Sequence, residues 1–229
     1  MQYLKGFVST KFPPKKVRAF NYRDIASNAF RGLRLVALTT IVMSLPLTTG
    51  CWVQSVYPFY EESDVVTDNN LAGTWAGEGE LQACLLNIAF DPGEKVFNIA
   101  MSNSGEAKEE MKCPEVKAKG HLVQLGSQRF LDVVPTDEKF PTELHTLVKV
   151  KPDMQNLVLV KMDAECLANA IKDKTLDLPA RIDEKWSGVV PSVDVILTSP
   201  TRDLRNLLRE SGDAKGAFSD ENQMRFHKK

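Results

Sequence analysis

The stretch Leu71-Ala72-Gly73-Thr74-Trp75 opens a series of short apolar segments that turn-forming residues separate from one another. Gly73 allows a tight bend because it has no Cβ atom, and Trp75 is predicted to be a buried structural residue of the first strand. Many short strands at close spacing are typical of antiparallel barrels and sandwiches. We therefore predict a mainly β domain over residues 71–212, either an antiparallel barrel or a closely related sandwich.

The strands are predicted from apolar composition, alternation and intervening turn formers such as Lys119-Gly120. Alternation is clearest where Val148 and Val150 share the face opposite Lys149 and Lys151. The predicted strands are Ala72–Glu78, Leu81–Phe90, Val96–Met101, Glu109–Lys117, His121–Leu125, Arg129–Val134, Leu144–Lys151, Leu157–Met162 and Val193–Leu197.

In two segments the apolar residues are three or four positions apart, as in helices. A short helix is predicted over Asp163–Lys172, before the last strand, and a C-terminal helix over Ser199–Ser211, with Ser199 as N-cap and Pro200 at the first helical position. The second helix has an apolar stripe, which is expected to pack on the barrel, the alternative being a docking surface for a partner. The stripe consists of Leu204, Leu207 and Leu208. Residues 213–229 lack a pattern and are predicted to be a flexible tail.

Residues 1–50 differ in charge from the rest of the chain. Eight of the 29 Lys and Arg residues but one of the 30 Asp and Glu residues lie there, so residues 51–229 carry a net charge of about −8. Nucleic acid selects positively charged surfaces, so no nucleic-acid partner is expected. The composition, 43% hydrophobic and 26% charged, excludes collagen, low-complexity disorder and a polytopic membrane protein.

The basic segment precedes a short apolar run, Leu35–Thr49, which is followed by small residues. This order is typical of a secretory signal, and the run is short for a spanning helix, which needs about 20 apolar residues. Residues 1–50 are therefore predicted to be a signal peptide of the lipoprotein type. The alternatives are an ordinary cleaved signal or a retained helix.

The end of this segment, Leu47-Thr48-Thr49-Gly50-Cys51, resembles the bacterial lipobox, although Thr48 stands where that motif usually has leucine. The resemblance implies cleavage between Gly50 and Cys51 and attachment of lipid to Cys51. Membrane association through the N-terminal lipid is then expected. Trp52 follows the cysteine, and the absence of aspartate there favours the outer membrane or the periplasmic face over the inner membrane.

Gly73 and Trp75 also resemble the Gly-x-Trp signature in the first strand of lipocalin-like (calycin-type) barrels, in which the tryptophan closes one end. Together with Cys51, the aromatic stretch Val56–Tyr60 and the segment Val195–Thr201, they resemble a family of uncharacterised bacterial lipoproteins over most of residues 51–211. The resemblance implies export and a barrel but brings no settled activity.

Residues 51–70 are predicted to be a lipidated cysteine and an aromatic tether. Trp52, Tyr57, Phe59 and Tyr60 make this segment unlike a bare Gly/Ser/Pro linker. The aromatic side chains are expected either to lie at the level of the lipid headgroups or to pack across one end of the domain.

Three cysteines remain if Cys51 carries lipid. Cys84 and Cys113 both lie in predicted strands, and we predict a disulfide between them, since export permits one. Cys166 is expected to be a small buried hydrophobic residue of its helix.

Motifs of catalysis and metal binding are absent from the sequence. It has no HExxH, GxSxG, P-loop or GxGxxG pattern, and its three histidines lack zinc-site spacing. His145 beside Glu143 is interpreted as an exposed strand histidine. No catalytic residue, metal or cofactor is therefore assigned.

The sequence favours a non-enzymatic binding or interaction module with an apolar small molecule or an envelope protein as partner. The alternative is an envelope hydrolase with an unrecognised site. The contents of the barrel interior distinguish a protein-docking module from a ligand carrier. An interior filled by large side chains would favour docking, and an apolar cavity would favour a ligand carrier.

Overall fold

The computed structural model describes residues 52–105, 113–136, 143–152, 155–187, 190–211 and 217–229. The predicted signal peptide and the predicted cleavage and lipidation at Gly50 and Cys51 lie outside these ranges. The strands are β1 (Val53–Ser55), β2 (Gly73–Gly77), β3 (Cys84–Asp91), β4 (Val96–Asn103), β5 (Val116–Leu125), β6 (Gln128–Pro135), β7 (His145–Pro152), β8 (Asn156–Lys161), β9 (Ala180–Ser187), β10 (Val190–Leu197) and β11 (Gln223–Lys228). The helices are α1 (Ala164–Lys172) and α2 (Thr201–Ser211).

Eight of these strands close into an antiparallel barrel in the order β6-β5-β4-β3-β2-β11-β8-β7. The ring is closed by β7 and β6, in which Leu131 is paired with Val148. The predicted fold class, a mainly β protein with an antiparallel, lipocalin-like barrel, is confirmed. Closure leaves these strands with partners on both sides, so the sheet has no open edge at the seam.

Large side chains from alternate positions of the strands fill the barrel interior. Trp75 on β2 is 1% exposed, and its indole Nε1 donates a hydrogen bond of 3.0 Å to the Leu71 carbonyl. Trp75 is therefore structural, as predicted. The fully buried residues that accompany it in this core are Leu71, Phe97, Leu122, Leu157 and Phe226.

Two glycines of β2 have conformational or steric reasons to be glycine. Gly73 has a φ of +144°, which disfavours residues with a Cβ atom. A Cβ atom on Gly77 would lie 2.1 Å from the Leu81 carbonyl oxygen, which leaves no room for a side chain.

A three-stranded extension, β1-β10-β9, leaves the barrel at β7. Thr146 is paired with Val133 of β6 and also with Gln54 of β1, so β1 and β6 lie on opposite edges of β7. Lys149 is paired in the same way with Phe130 of β6 and Val160 of β8. One edge of β7 is thus shared by β8 and β1, and β1 continues into the extension through a parallel pairing with β10.

A second core lies between the outer face of the barrel and the layer formed by the extension and both helices. Phe130 and Leu147 enter it from the barrel, and Val195 and Leu197 enter it from β10. The leucine stripe of α2 is buried here, so the prediction that it packs within the domain is confirmed. Its members, Leu204, Leu207 and Leu208, are each at most 4% exposed.

The start of α2 differs in detail from the prediction. The helix begins at Thr201, and the Pro200 carbonyl accepts the first hydrogen bond from the Leu204 amide at 3.2 Å. Ser199 is buried, and its hydroxyl donates to the Pro179 carbonyl at 3.2 Å. This bond fixes the helix start to the segment that precedes β9.

The prediction that residues 213–229 form a flexible tail is wrong for Gln223–Lys228, which form β11. This strand is hydrogen-bonded to β2 on one side and to β8 on the other. Phe226 is inside the barrel at 2% exposure, while Arg225 and His227 point outward. The alternation was too short and too highly charged to be noticed in the sequence.

Other element boundaries also differ from the predictions. The predicted turn at Lys119-Gly120 is wrong, because β5 runs continuously through it. A Cβ atom on Gly120 would lie 3.1 Å from Ile99 Cδ1 and 3.2 Å from Leu131 Cδ1, so this glycine relieves crowding in the barrel. Strands β1 and β9 were not predicted, and the short helix α1 precedes three strands rather than one.

Replacement of Phe226 tests the closure of the barrel by β11. Phe226→Ala should lower the free energy of unfolding by about 3–5 kcal/mol, because it empties a buried site. The control is His227→Ala, an exposed neighbour on the same strand, which should change it by less than about 0.5 kcal/mol. Urea denaturation followed by circular dichroism measures both. Equal, small effects would mean that this segment is a dispensable tail.

Candidate functional site

A group of hydrogen-bonded polar side chains surrounds Asp132 of β6. Asp132 is 1% exposed and follows Leu131, which points into the barrel, so alternation directs the carboxylate to the outer face. Cross-strand pairing places His121 of β5 beside it. The cluster therefore lies at the border of the second core.

Both oxygens of the Asp132 carboxylate have partners. Oδ1 lies 2.7 Å from Nδ1 of His145, and Oδ2 accepts a hydrogen bond of 2.9 Å from the Phe59 amide. A buried carboxylate without such partners would cost several kcal/mol. Asp132 thus joins the start of β7 to the chain that follows β1.

Tyr60 covers the other side of this group. Its hydroxyl lies 2.9 Å from Nδ1 of His121, and the two rings are 5.0 Å apart between centroids. Burial, with the negative charges of Asp132 and Glu62, raises the pKa of Tyr60 to about 12. Burial also lowers the pKa of His121 below its usual 6.5, with Asp132 opposing the shift. The positive charge of neighbouring Lys119 contributes to the lowering of this pKa.

An Asp–His pair is also the orienting half of a hydrolase triad, in which the histidine activates a serine. Cross-strand pairing places Ser55 of β1 beside His145. Ser55, however, is fully buried, and its hydroxyl oxygen accepts a hydrogen bond of 3.1 Å from the Tyr57 amide. A substrate cannot reach this hydroxyl in the observed arrangement. The polar contacts around Asp132 instead hold residues 55–60 on the barrel.

A second polar contact fixes the same N-terminal segment to α2. Arg205 donates from Nη2 to Oδ1 of Asp64 at 2.8 Å, and its Nη1 lies 2.7 Å from Oε2 of Glu61. Asp64 is 9% exposed, and its carboxylate raises the pKa of Arg205. The acidic partners of this helix arginine are therefore supplied by the chain itself.

The predicted pairing of Cys84 and Cys113 is present as a disulfide, with Cα atoms 5.2 Å apart. It links the start of β3 to the segment before β5. The prediction that Cys166 is buried is wrong, because it lies on the exposed face of α1 while Leu167 and Ala168 point into the second core. A short helix has few apolar positions to define its buried face, so the sequence alone does not show that Cys166 faces solvent.

His145 is largely buried and bonded to Asp132, which differs from the exposed histidine beside Glu143 that was predicted. Asp132 was not selected from the sequence. The available signal was a charged residue inside the apolar stretch Phe130–Val134, where a buried carboxylate requires donors from elsewhere in the fold.

The outer face of β2–β5 forms an open groove of about 620 Å³. Small side chains from Thr74, Asn87, Ala89, Asn98 and Ala100 form its floor. Lys117 and Lys119 border it on β5. The groove lies outside the barrel interior, which the aromatic and leucine residues of the first core occupy.

No three His, Cys, Asp or Glu side chains in the part of the chain that the structure describes are grouped so that they could hold a metal ion. Within the same ranges, no helix has the length and apolar character required to cross a bilayer.

Neither a protein-family model, nor a curated protein, nor a solved structure matches the chain. The resemblance to bacterial lipoproteins therefore stays a prediction that rests on the residues quoted for it.

The lowered pKa of His121 predicts an acid-sensitive contribution to stability. In the unfolded chain the His121 imidazole binds a proton at a pH near 6.5, and in the folded chain it binds one only at lower pH. The contribution to the free energy of unfolding is therefore present above about pH 6.5 and is lost as the pH falls through the folded pKa. The difference in unfolding free energy between wild type and His121→Gln should therefore shrink between about pH 7.5 and 5.5. Chemical denaturation at each pH measures it.

The matched control for this measurement is His227→Gln, an exposed histidine on β11. This variant measures the effect of losing an exposed imidazole over the same pH range. A His121→Gln difference that stays constant over the range would refute the proposed burial effect.

Proposed function

We propose that the chain is a lipid-anchored, non-enzymatic interaction module of the bacterial cell envelope, at the outer membrane or the periplasmic face. In this proposal Cys51 carries the lipid and the barrel docks another envelope protein. The anchor keeps a folded domain at a membrane without a spanning helix.

The filled interior of the barrel is the observation that carries the docking role. A small-molecule site is usually a concave space of about 300–1,000 Å³. In the described strands the barrel interior is taken by the buried side chains of Trp75, Phe97, Leu122, Leu157 and Phe226, and a concave space of this size, the open groove of about 620 Å³, lies on the outer face of β2–β5. A carried apolar molecule would have to displace this core, so an envelope protein suits the barrel better as a partner.

Export is supported by the disulfide between Cys84 and Cys113, because disulfides persist mainly in oxidising compartments. It is also supported by the basic segment, the apolar run and the small residues that precede Cys51. The hydrolase alternative gains no support from Asp132 and His145, since the adjacent hydroxyl of Ser55 is buried and occupied.

Cys51→Ala tests the anchor. The wild-type chain should appear in the membrane fraction with the mass of a lipidated chain beginning at residue 51, whereas Cys51→Ala should be unprocessed or soluble. Cys166→Ala is the control, because Cys166 is an exposed free thiol and its loss should leave the mass added by the lipid and the fractionation unchanged. Identical behaviour of Cys51→Ala and wild type would refute the anchor.

Native purification of the wild-type chain from membranes tests the docking role. Mass spectrometry should find an envelope protein retained at a defined ratio to the chain. Recovery of an apolar small molecule in a one-to-one ratio, without a protein, would contradict the proposal and favour a ligand carrier.

A further inference from the structure

The structure leaves no tether between residue 51 and the folded domain. Strand β1 begins at Val53, and the Trp52 carbonyl already accepts a hydrogen bond of 2.9 Å from the Val195 amide. A single residue, Trp52, separates residue 51 from the first residue of this strand in the sequence. The predicted aromatic tether over residues 51–70 is wrong in this respect, because its first residues are part of the sheet.

Strand β1 is held firmly on both sides. It is paired in parallel with β10 and antiparallel with β7, and just beyond its end the Val56 amide donates to the Leu197 carbonyl at 3.0 Å. Val53 and Ser55 point into the domain and are at most 4% exposed. A lipid on residue 51 would therefore be attached to a rigid strand of the domain, with one residue between them.

Large apolar side chains are exposed immediately before and after β1, whose own residue on the opposite face is Gln54. Trp52 is 39% exposed, Val56 43% and Tyr57 48%, and Ile196 of β10 lies beside Gln54 in the same face. Exposed large apolar residues at a lipid anchor match a membrane interface, where tryptophan and tyrosine are enriched because their rings have an apolar body and a polar edge.

The charges around Trp52 suit the same surface. Nζ of Lys161 lies 4.9 Å from the centroid of the Trp52 ring, and Lys185 lies 2.9 Å from Asp194, which also accepts from the Trp52 amide at 3.4 Å. Asp194 is thus paired, and Lys161 remains beside the indole. Lysines near a bilayer surface are attracted to anionic headgroups.

We infer that the surface next to β1, where Trp52 is exposed just before the strand and Val56 and Tyr57 just after it, rests directly on the lipid bilayer that holds the anchor. This inference rests on the proposed lipidation of Cys51 and adds to it a fixed orientation. The indole of Trp52 lies at the headgroup level, and the domain cannot swing away from the membrane as it would on a linker. The groove on β2–β5 is then presented at a constant direction relative to the bilayer.

The test uses the natively lipidated protein, purified from membranes and reconstituted into phosphatidylcholine–phosphatidylglycerol vesicles with brominated acyl chains near the headgroups. Bromine quenches nearby indoles, so wild-type emission should be quenched relative to vesicles without bromine. Trp52→Phe should lose most of this quenching. Trp75 and Trp186 are present in both proteins, so their emission cancels in the comparison.

Two matched charge variants test the surface rather than the single indole. Val56→Asp should move the face away from the bilayer and reduce the quenching of Trp52. Val116→Asp should leave it unchanged, since Val116 is similarly exposed, at 37%, but lies on β5 and outside this face.

Three results would overturn the inference. The first is quenching in Trp52→Phe that equals the wild-type quenching, and the second is an equal loss of quenching in Val56→Asp and Val116→Asp. The third is a change in Trp52 emission that occurs only when an envelope protein is added. Intact mass distinguishes this failure from failure of the proposed function. An unmodified Cys51 refutes the anchor and the orientation together, whereas a lipidated chain with unquenched Trp52 refutes the orientation alone.

Discussion

Strand β7 bonds to three strands, and this sharing determines the architecture. One edge pairs with β6 and closes the barrel, while the other is divided between β8 and β1. Because β8 ends at Lys161, the first residues of β7 are free to receive β1, and β1 brings β10 and β9 with it. The same strand therefore borders both cores, with Val148 in the barrel and Leu147 in the layer outside it.

The junction of β6, β7 and β1 contains a buried carboxylate, which stabilises it only because both carboxylate oxygens have hydrogen-bond partners. Asp132 sits on β6 opposite the branch point, and its partners come from His145 at the start of β7 and from the Phe59 amide. Arg205 makes a comparable contact from α2 to Asp64. Removing one partner leaves a charge without compensation in a poorly solvated place, which is more costly than never having buried it. The N-terminal segment is thereby fixed in position as well as covered.

Alternation and turn residues predicted most of the strands and limited the fold to an antiparallel barrel or sandwich. The resemblance of Gly73 and Trp75 to the Gly-x-Trp signature favoured the barrel and a structural role for Trp75, and the spacing of the leucines predicted the stripe of α2. The errors have physical causes. Gly120 looked like a turn because a sequence does not reveal that Ile99 and Leu131 crowd it from neighbouring strands. Gln223–Lys228 looked like a tail because four of its six residues are polar or charged. Its two apolar residues, Met224 and Phe226, pack with strands that are far away in sequence. The Asp132 cluster joins residues 59, 121, 132 and 145, and no local pattern connects them.

The position of β11 between β2 and β8 has a consequence for the order of folding. A chain is synthesised from its N-terminus, so β2 and β8 emerge well before the strand that separates them. Until residues 223–228 are available, each has an unpaired edge that can bond to another molecule. Contacts between such distant segments slow folding because a long loop must close first. Successful production of this protein consequently depends on how well those two edges are shielded while the chain is incomplete, a task suited to a chaperone that binds extended strands.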